Sequence, residues 1–219
     1  MKKTLKYSDD RVIHAIIYSI YTYNVEVENM NWDNYKNNLV QLADKIISKD
    51  DEVKIIAMNE EMTISQVVKF FERQGRSFTK TMIQNYIRVG VLPPPVDKRY
   101  YTKNHLVLLT LIDSIKSIYT LDEIKNILAP IMNNPEIFED DLIKITDVYK
   151  NYLALRKEAL SNWRDSLPHL ADRINELLNE DNVPEDKKGI AMPFMIALTI
   201  MAETVAMHDL INELISNKN

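Results

Sequence analysis

The side chains best suited to chemistry are cations clustered between Lys69 and Lys103. This segment contains eight basic and two acidic residues, a net charge of +6, whereas the net charge of the whole chain is −5. The basic residues are Lys69, Arg73, Arg76, Lys80, Arg88, Lys98, Arg99 and Lys103. A basic island in an acidic chain is typical of a phosphate-binding surface. A solvated helix face that happens to be basic is the other interpretation, because charge runs are common.

Other chemistries lack the residues they need. The chain has no cysteine, which excludes disulfides, thiolate zinc sites and cysteine nucleophiles. The four histidines, His14, His105, His169 and His208, fall on four different predicted elements. His169 and Asp172 share a helix face, which we interpret as a surface pair. With no glycine-rich phosphate loop either, we expect no enzyme activity, no cofactor and no metal.

The elements that position the basic residues are mainly helical. The chain has 11 Tyr and ten Met but only three Gly, which favours helices over a multi-strand sandwich. Two packing helices are predicted before residue 50, one over 8–23 and one capped by Asn31. The longest apolar run, 189–202, is shorter than the roughly 18 residues of a membrane span. We therefore expect a buried helix there, no membrane association and, without a signal peptide, a cytoplasmic protein.

Two short helices and a turn begin the middle segment. Thr63-Ile64-Ser65-Gln66 has the form of a capping box, which predicts a helix to about Arg73. Gly75 can take the positive φ that a tight turn requires. Ser77 or Thr79 can then cap a second helix.

A small hairpin and two further helices follow. The second helix ends at Gly90, and the three prolines at 93–95 forbid its continuation. Residues 96–101 have the size of a β-hairpin, Thr102 caps a third helix, and the box at 120–123 opens a short fourth one. This order predicts a winged helix-turn-helix with a hairpin wing, flanked by N-terminal helices and a C-terminal helical domain.

The same segment resembles the DNA-binding domain of MerR-type regulators. The resemblance rests on three stretches: Met82-Ile83-Gln84-Asn85-Tyr86-Ile87-Arg88-Val89-Gly90-Val91-Leu92-Pro93-Pro94-Pro95, Lys98-Arg99-Tyr100-Tyr101-Thr102 and Thr120-Leu121-Asp122-Glu123-Ile124. It is most similar to a little-characterised MerR-like branch catalogued as a domain of unknown function. About a third of the chain is covered. The resemblance implies that the segment binds duplex DNA.

In a winged helix-turn-helix the second helix enters the major groove, where short polar side chains reach base edges. In this chain those residues are Thr79, Lys80, Thr81, Gln84 and Asn85. The amides of Gln84 and Asn85 can pair with adenine, although either can instead be merely solvated. Family members usually have Arg and Tyr at these two positions, and this departure leaves the base contacts open.

Backbone contacts are expected from two further groups. The resemblance implies that Tyr86 and Arg88 contact phosphate. Lys98, Arg99 and Tyr100 should do so from the wing, because a hairpin tip has few packing duties. We expect Tyr101 to face inward, and Ile83, Ile87 and Val89 to belong to the core on helical periodicity.

The C-terminal half is interpreted as a dimerisation domain that could also sense an effector. Apolar residues from Phe138 to Trp163 keep a four–three rhythm, interrupted by Arg156, which predicts either a dimer seam or packing within the chain. A last helix over 193–215 is apolar nearly all round. Its methionines could line a pocket or form ordinary core, and the sequence does not decide whether a small molecule binds.

The expected protein is thus a homodimeric, sequence-specific regulator of transcription. Its predicted parts are an N-terminal helical segment over 1–61, the DNA-binding domain over 62–130 and the C-terminal domain over 131–219. The alternative is a helical protein–protein interaction module that retains the winged fold. The acidic remainder of the chain would suit that alternative.

Overall fold

A computed structural model describes residues 32–48, 55, 61–132, 134, 136–138 and 142–216. Within these ranges the chain is mainly helical, as predicted, with seven helices and one two-stranded sheet. The elements are α1 (Trp32–Ser48), β1 (Met62–Thr63), α2 (Ile64–Glu72), α3 (Lys80–Arg88), β2 (Tyr100–Tyr101), α4 (Lys103–Ile115), α5 (Leu121–Leu128), α6 (Ile145–Glu180) and α7 (Glu185–Ser216). The helix predicted over 8–23 and the Asn31 cap lie outside the described residues.

The described part of the chain divides into two compact units. One unit comprises the described residues between 51 and 157 and contains β1, β2 and α2 to α5. The other joins residues 32–48 with residues 158–216 and contains α1 and α7. Residues 145–157 of α6 belong to the first unit, and its remaining residues belong to the second.

Local hydrogen bonds explain where the short helices begin. The Thr63 backbone N–H donates to Oε1 of Gln66 at 2.8 Å, and that of Thr120 donates to Oε2 of Glu123 at 2.7 Å. Thr79 Oγ1 accepts from the backbone N–H of Met82 at 3.1 Å. Each contact satisfies a donor that the first helical turn leaves without a partner. The predicted caps at these three threonines are confirmed.

The sheet joins the start of the first unit to its hairpin. β1 and β2 are antiparallel, with Met62 opposite Tyr101 and Thr63 opposite Tyr100. On the other side of β2, Val96 and Tyr100 exchange two backbone hydrogen bonds of 2.8 Å, which closes the predicted hairpin. The pairing of β2 with β1 adds a connection that the sequence analysis did not predict.

One apolar core holds the first unit together. It is built from the inner faces of α2 to α5, with Phe71, Ile83, Leu109 and Ile124 among its fully buried members. Tyr101 is buried in this core, and Ile83, Ile87 and Val89 pack in or against it, as predicted. Burial of such side chains contributes about 1.5–3 kcal/mol each. This core fixes the faces that α3 and the hairpin can present.

The structure corrects the proposed dimer seam. Ile145 and Tyr149 are fully buried in the core of the first unit, and Phe138 and Tyr152 pack against it. Leu142, by contrast, precedes α6 and is 78% exposed. Most residues in the first half of the stripe therefore pack in or against the core of the chain itself. Its four–three rhythm fits either role, because any helix packed on a neighbour shows it.

The second unit has a smaller core on α6 and α7. Ala171 and Ile174 of α6 and Met192 and Ile196 of α7 are buried together, and α1 packs against them through a group that includes Tyr35. The Asp172 carboxylate accepts hydrogen bonds from Trp32 Nε1 at 2.8 Å and Lys36 Nζ at 3.0 Å. These bonds lower the pKa of Asp172, and the bond from Lys36 has the larger effect. They tie α1 to α6.

The last two helices differ from the sequence prediction. The last helix begins at Glu185 rather than at Pro193, which lies inside it, and α6 continues through Pro168. The expectation that the last helix is buried is wrong, because large apolar side chains along most of α7 are exposed. In the part of the chain that the structure describes, one helix, over residues 185–215, is long and apolar enough to cross a membrane. Of its most apolar stretch of 18 residues, 11% is buried.

Candidate nucleic-acid interface

One face of α3 carries only polar and basic side chains. Lys80, Thr81, Gln84, Asn85 and Arg88 recur at the spacing that places residues on one side of a helix, and all five are exposed or half-buried. The opposite side holds the apolar residues that enter the core. Five of the residues predicted to bind DNA thus share one face, and α3 contains no acidic residue.

The first turn of α3 favours a negative ligand. Free backbone N–H groups and the helix dipole make a helix N-terminus positive. The hydroxyl of Thr79 satisfies the N–H of Met82 at this end, and Lys80 adds a cation to the exposed surface. Thr79 therefore acts as the helix cap in this structure, while its own side chain stays exposed.

Gln84 and Asn85 are not in equivalent surroundings. Gln84 is exposed, whereas Asn85 is half-buried and its Oδ1 accepts a hydrogen bond of 2.6 Å from an Nη of Arg88. An Asn that pairs with adenine must both accept and donate. Asn85 would have to exchange its bond to Arg88 for such a pairing, but Gln84 would have no such requirement.

Tyr86 does not take the place predicted for it. Its side chain is 5% exposed and packs in the core of the first unit. Burial, and after it the Asp113 carboxylate, raise the pKa of Tyr86. The expectation that Tyr86 contacts phosphate is wrong, because residue 86 lies one turn from Ile83 on the inward face of α3.

The hairpin tip is basic and exposed. Asp97 and Lys98 take left-handed backbone conformations, with φ of 51° and 58°, and complete the turn between Val96 and Tyr100. Lys98 and Arg99 are exposed. The Arg99 guanidinium lies 5.2 Å from the centre of the Tyr100 ring, a cation–π contact. The predicted wing residues therefore sit together at the tip.

One cation of the basic island is already neutralised. Arg76 donates to Oδ2 of Asp113 on α4 at 2.8 Å, and both side chains are 14% exposed. Lys116 binds the other carboxylate oxygen of Asp113 and lies above the ring of Phe78. The ion pair of Arg76 thus links the turn between α2 and α3 to α4. No local pattern predicts this pairing, because its partners are 37 positions apart.

A buried histidine forms hydrogen bonds with residues on both sides of the hairpin. His105 is 1% exposed, and its Nδ1 accepts from the backbone N–H of Thr102 at 3.0 Å. With Nδ1 as acceptor, Nε2 carries the proton and donates to the Pro94 carbonyl at 3.1 Å. The ring also packs edge-on against Tyr101 and Phe138. His105 therefore joins the segment before the hairpin to the start of α4.

No metal site accompanies this interface in the described part of the chain, where no three His, Asp or Glu residues are grouped to hold an ion. His105 and Asp113 support the site, but residue type and spacing do not identify either of them as a support. Most of their partners lie on other elements. One exception is Thr102, a predicted helix cap three residues before His105.

The fold and this face define the class: a mainly helical protein with a small sheet and one basic, polar helix face. A family model described as "Domain of unknown function (DUF1836)" matches residues 35–152, more than half of the chain. The protein belongs to this DUF1836 family, which agrees with the expected family of unknown function. No curated protein and no solved structure matches the chain. None of these comparisons links it to MerR-type regulators.

Proposed function

We propose that residues 62–130 form a winged helix-turn-helix and that the protein is a sequence-specific regulator that binds duplex DNA. The observation that carries the proposal is the outer face of α3, on which every side chain is polar or basic. In the order of elements, α2 is the first helix, Gly75 marks the turn, α3 is the recognition helix and the hairpin is the wing.

Size and charge support this use of α3. A helix fits the major groove, which is about 12 Å wide. The outer face of α3 presents the hydrogen-bonding groups of Thr81, Gln84 and Asn85 between the cations Lys80 and Arg88. Cations at both ends of a recognition helix can hold it to the phosphates that border the groove.

The proposal divides the work between the helix and the wing. Gln84 is the leading candidate for base readout, because it is exposed on the outer face of α3. Lys80, Arg88, Lys98 and Arg99 would contact phosphates and position the domain without reading sequence. The protein would act in the cytoplasm, catalyse no reaction and respond to an effector only if the other unit binds one.

A protein-contact role for the same face is the second candidate. The hydrogen bond between Arg88 and Asn85 and the ion pair of Arg76 with Asp113 reduce the groups available to nucleic acid. A helix face on which one of the two cations is already hydrogen-bonded suits a polar protein partner as well.

Selection of bound sequences from random duplex DNA at physiological salt tests the proposal. The wild-type chain should enrich one motif. Gln84→Ala should relax the preference at particular bases, by about 1–3 kcal/mol in discrimination, and Arg99→Ala should weaken binding to all sequences alike. A matched control is Gln66→Ala on α2, where the side chain serves a capping box.

Failure to enrich any motif would exclude sequence-specific binding and favour the protein-contact role. A Gln84→Ala variant that keeps the motif while Arg99→Ala changes it would reverse the roles of the helix and the wing.

A further inference from the structure

The outer side of α7 carries a continuous apolar stripe with a charge at each end. Large apolar side chains recur at spacings of four, four, three and four residues: Ile190, Phe194, Leu198, Met201 and Val205. They are 42–62% exposed. Lys187 lies three residues before the stripe and Asp209 four residues after it. The mean spacing from Lys187 to Asp209, about 3.7 residues, keeps all seven on one side of a nearly straight helix.

The stripe is distinct from the side of α7 that is already packed. Met192 and Ile196, on the opposite side, are buried against Ala171 and Ile174 of α6. Glu203 is exposed and also lies away from the stripe. The stripe therefore remains open after α7 has made its contacts with α6.

We propose that this stripe binds the same stripe of a second copy of the chain, with the two α7 helices antiparallel. Lys187 and Asp209 are each eleven positions from Leu198. An antiparallel pair centred on Leu198 places Lys187 of each copy opposite Asp209 of the other, which gives two ion pairs. A parallel pair would instead place lysine against lysine and aspartate against aspartate. Charges flanking an apolar seam select orientation in this way.

The apolar area agrees with a dimer of modest affinity. An aromatic side chain buries about 150–250 Å² in full, and four of the five stripe residues are smaller than that, so the stripe offers at most roughly 500 Å² per copy. Two copies would bury at most about 1,000 Å², the low end for a specific interface, which fits a weak dimer. The symmetric contact is closed, because the same patch serves both copies.

A membrane is a poorer partner for this helix. The contacts of Met192 and Ile196 hold α7 against α6, where the neighbouring side chains Arg173 and Glu176 are exposed and charged. A spanning α7 would carry these charges into the hydrocarbon, where each costs several kcal/mol. The second copy requires no such transfer.

Sedimentation of the full chain without DNA tests the proposal, so that its outcome is independent of the proposed function. The wild-type protein should be a dimer at tens of micromolar. Leu198→Glu should give a monomer with unchanged helical content, because Leu198 is exposed and its replacement puts two like charges at the centre of the seam. Glu203→Lys, on another side of the same helix, should leave the dimer intact.

Charge reversal tests the orientation. Lys187→Asp or Asp209→Lys alone should weaken the dimer roughly tenfold, since each creates two like-charged contacts. The double variant should recover wild-type affinity.

Three outcomes would overturn the proposal. One is a wild-type monomer at tens of micromolar. The second is a wild-type monomer that floats with phosphatidylglycerol vesicles, which would identify lipid as the partner. The third is a dimer that persists in Leu198→Glu, which would place the interface elsewhere.

Discussion

The salt dependence of DNA binding follows from the exposed cations of α3 and the hairpin tip. Lys80, Arg88, Lys98 and Arg99 are exposed on α3 and the hairpin tip, whereas Arg76 is paired with Asp113. Each phosphate neutralised on duplex DNA releases about 0.9 counterion. Four contacts per domain therefore predict a slope of about −3.6 for the logarithm of affinity against the logarithm of salt concentration, and twice that if both domains of a dimer bind.

Removal of the wing cations should change this slope by a known amount. Lys98→Ala with Arg99→Ala leaves two phosphate contacts, so the slope should fall to about −1.8 per domain. Over a fourfold rise in salt, the wild-type domain would lose roughly 150-fold in affinity and the double variant roughly 12-fold. Fluorescence anisotropy with a labelled duplex over a series of salt concentrations measures both slopes.

A control pair separates local contacts from net charge. Lys125→Ala with Lys150→Ala removes the same charge from exposed positions on α5 and α6, and it should leave the slope unchanged. Equal flattening by the two pairs would show that only net charge matters. A wild-type slope near zero would refute phosphate binding altogether.

Three further substitutions test the supports of the two units. Asp113→Ala leaves Arg76 half-buried without its carboxylate and should lower the free energy of unfolding by about 2 kcal/mol in urea titration; a change within error would show that the pair is inert. His105→Ala removes two hydrogen bonds and a buried ring, so the thermal midpoint should fall by an amount equivalent to about 2–4 kcal/mol, while retention of the wild-type midpoint would contradict its role as a brace. Because the folded pKa of Asp172 is lowered, its contribution is complete above its unfolded pKa of about 3.9 and is lost as the pH falls through the folded value. Asp172→Asn should thus destabilise the protein at neutral pH but not in strong acid, and an equal loss at both pH values would assign the effect to packing.

Local structure in the first unit could be predicted from short stretches of sequence. The boxes at Thr63 and Thr120, the turn at Gly75 and the hairpin after Pro95 all depend on contacts within four residues. Such contacts are decided by residue type and spacing alone. The polar face of α3 could be predicted for the same reason, because helical periodicity separates it from Ile83 and Ile87.

Tyr86 marks the limit of that reasoning. A tyrosine suits both a core and a phosphate contact, and the resemblance favoured the second role. In the folded unit, Tyr86 lies in the apolar core, where its ring is buried. The count of cations failed similarly at Arg76, since its acidic partner lies on a distant element.

The two long helices show the same division at larger scale. Their apolar patterns predicted where apolar side chains line these helices, but not which of those side chains are buried. Which partner each surface has depends on the path of the chain: Ile145 and Tyr149 lie in the core of the first unit, while the stripe from Ile190 to Val205 lies away from the contacts of α7. The sequence by itself determined helices, caps and amphipathic faces, because these arise from neighbours along the chain. Only the tertiary structure decided which faces are buried, because hydrophobic burial has no direction of its own and follows whatever surface the fold brings near.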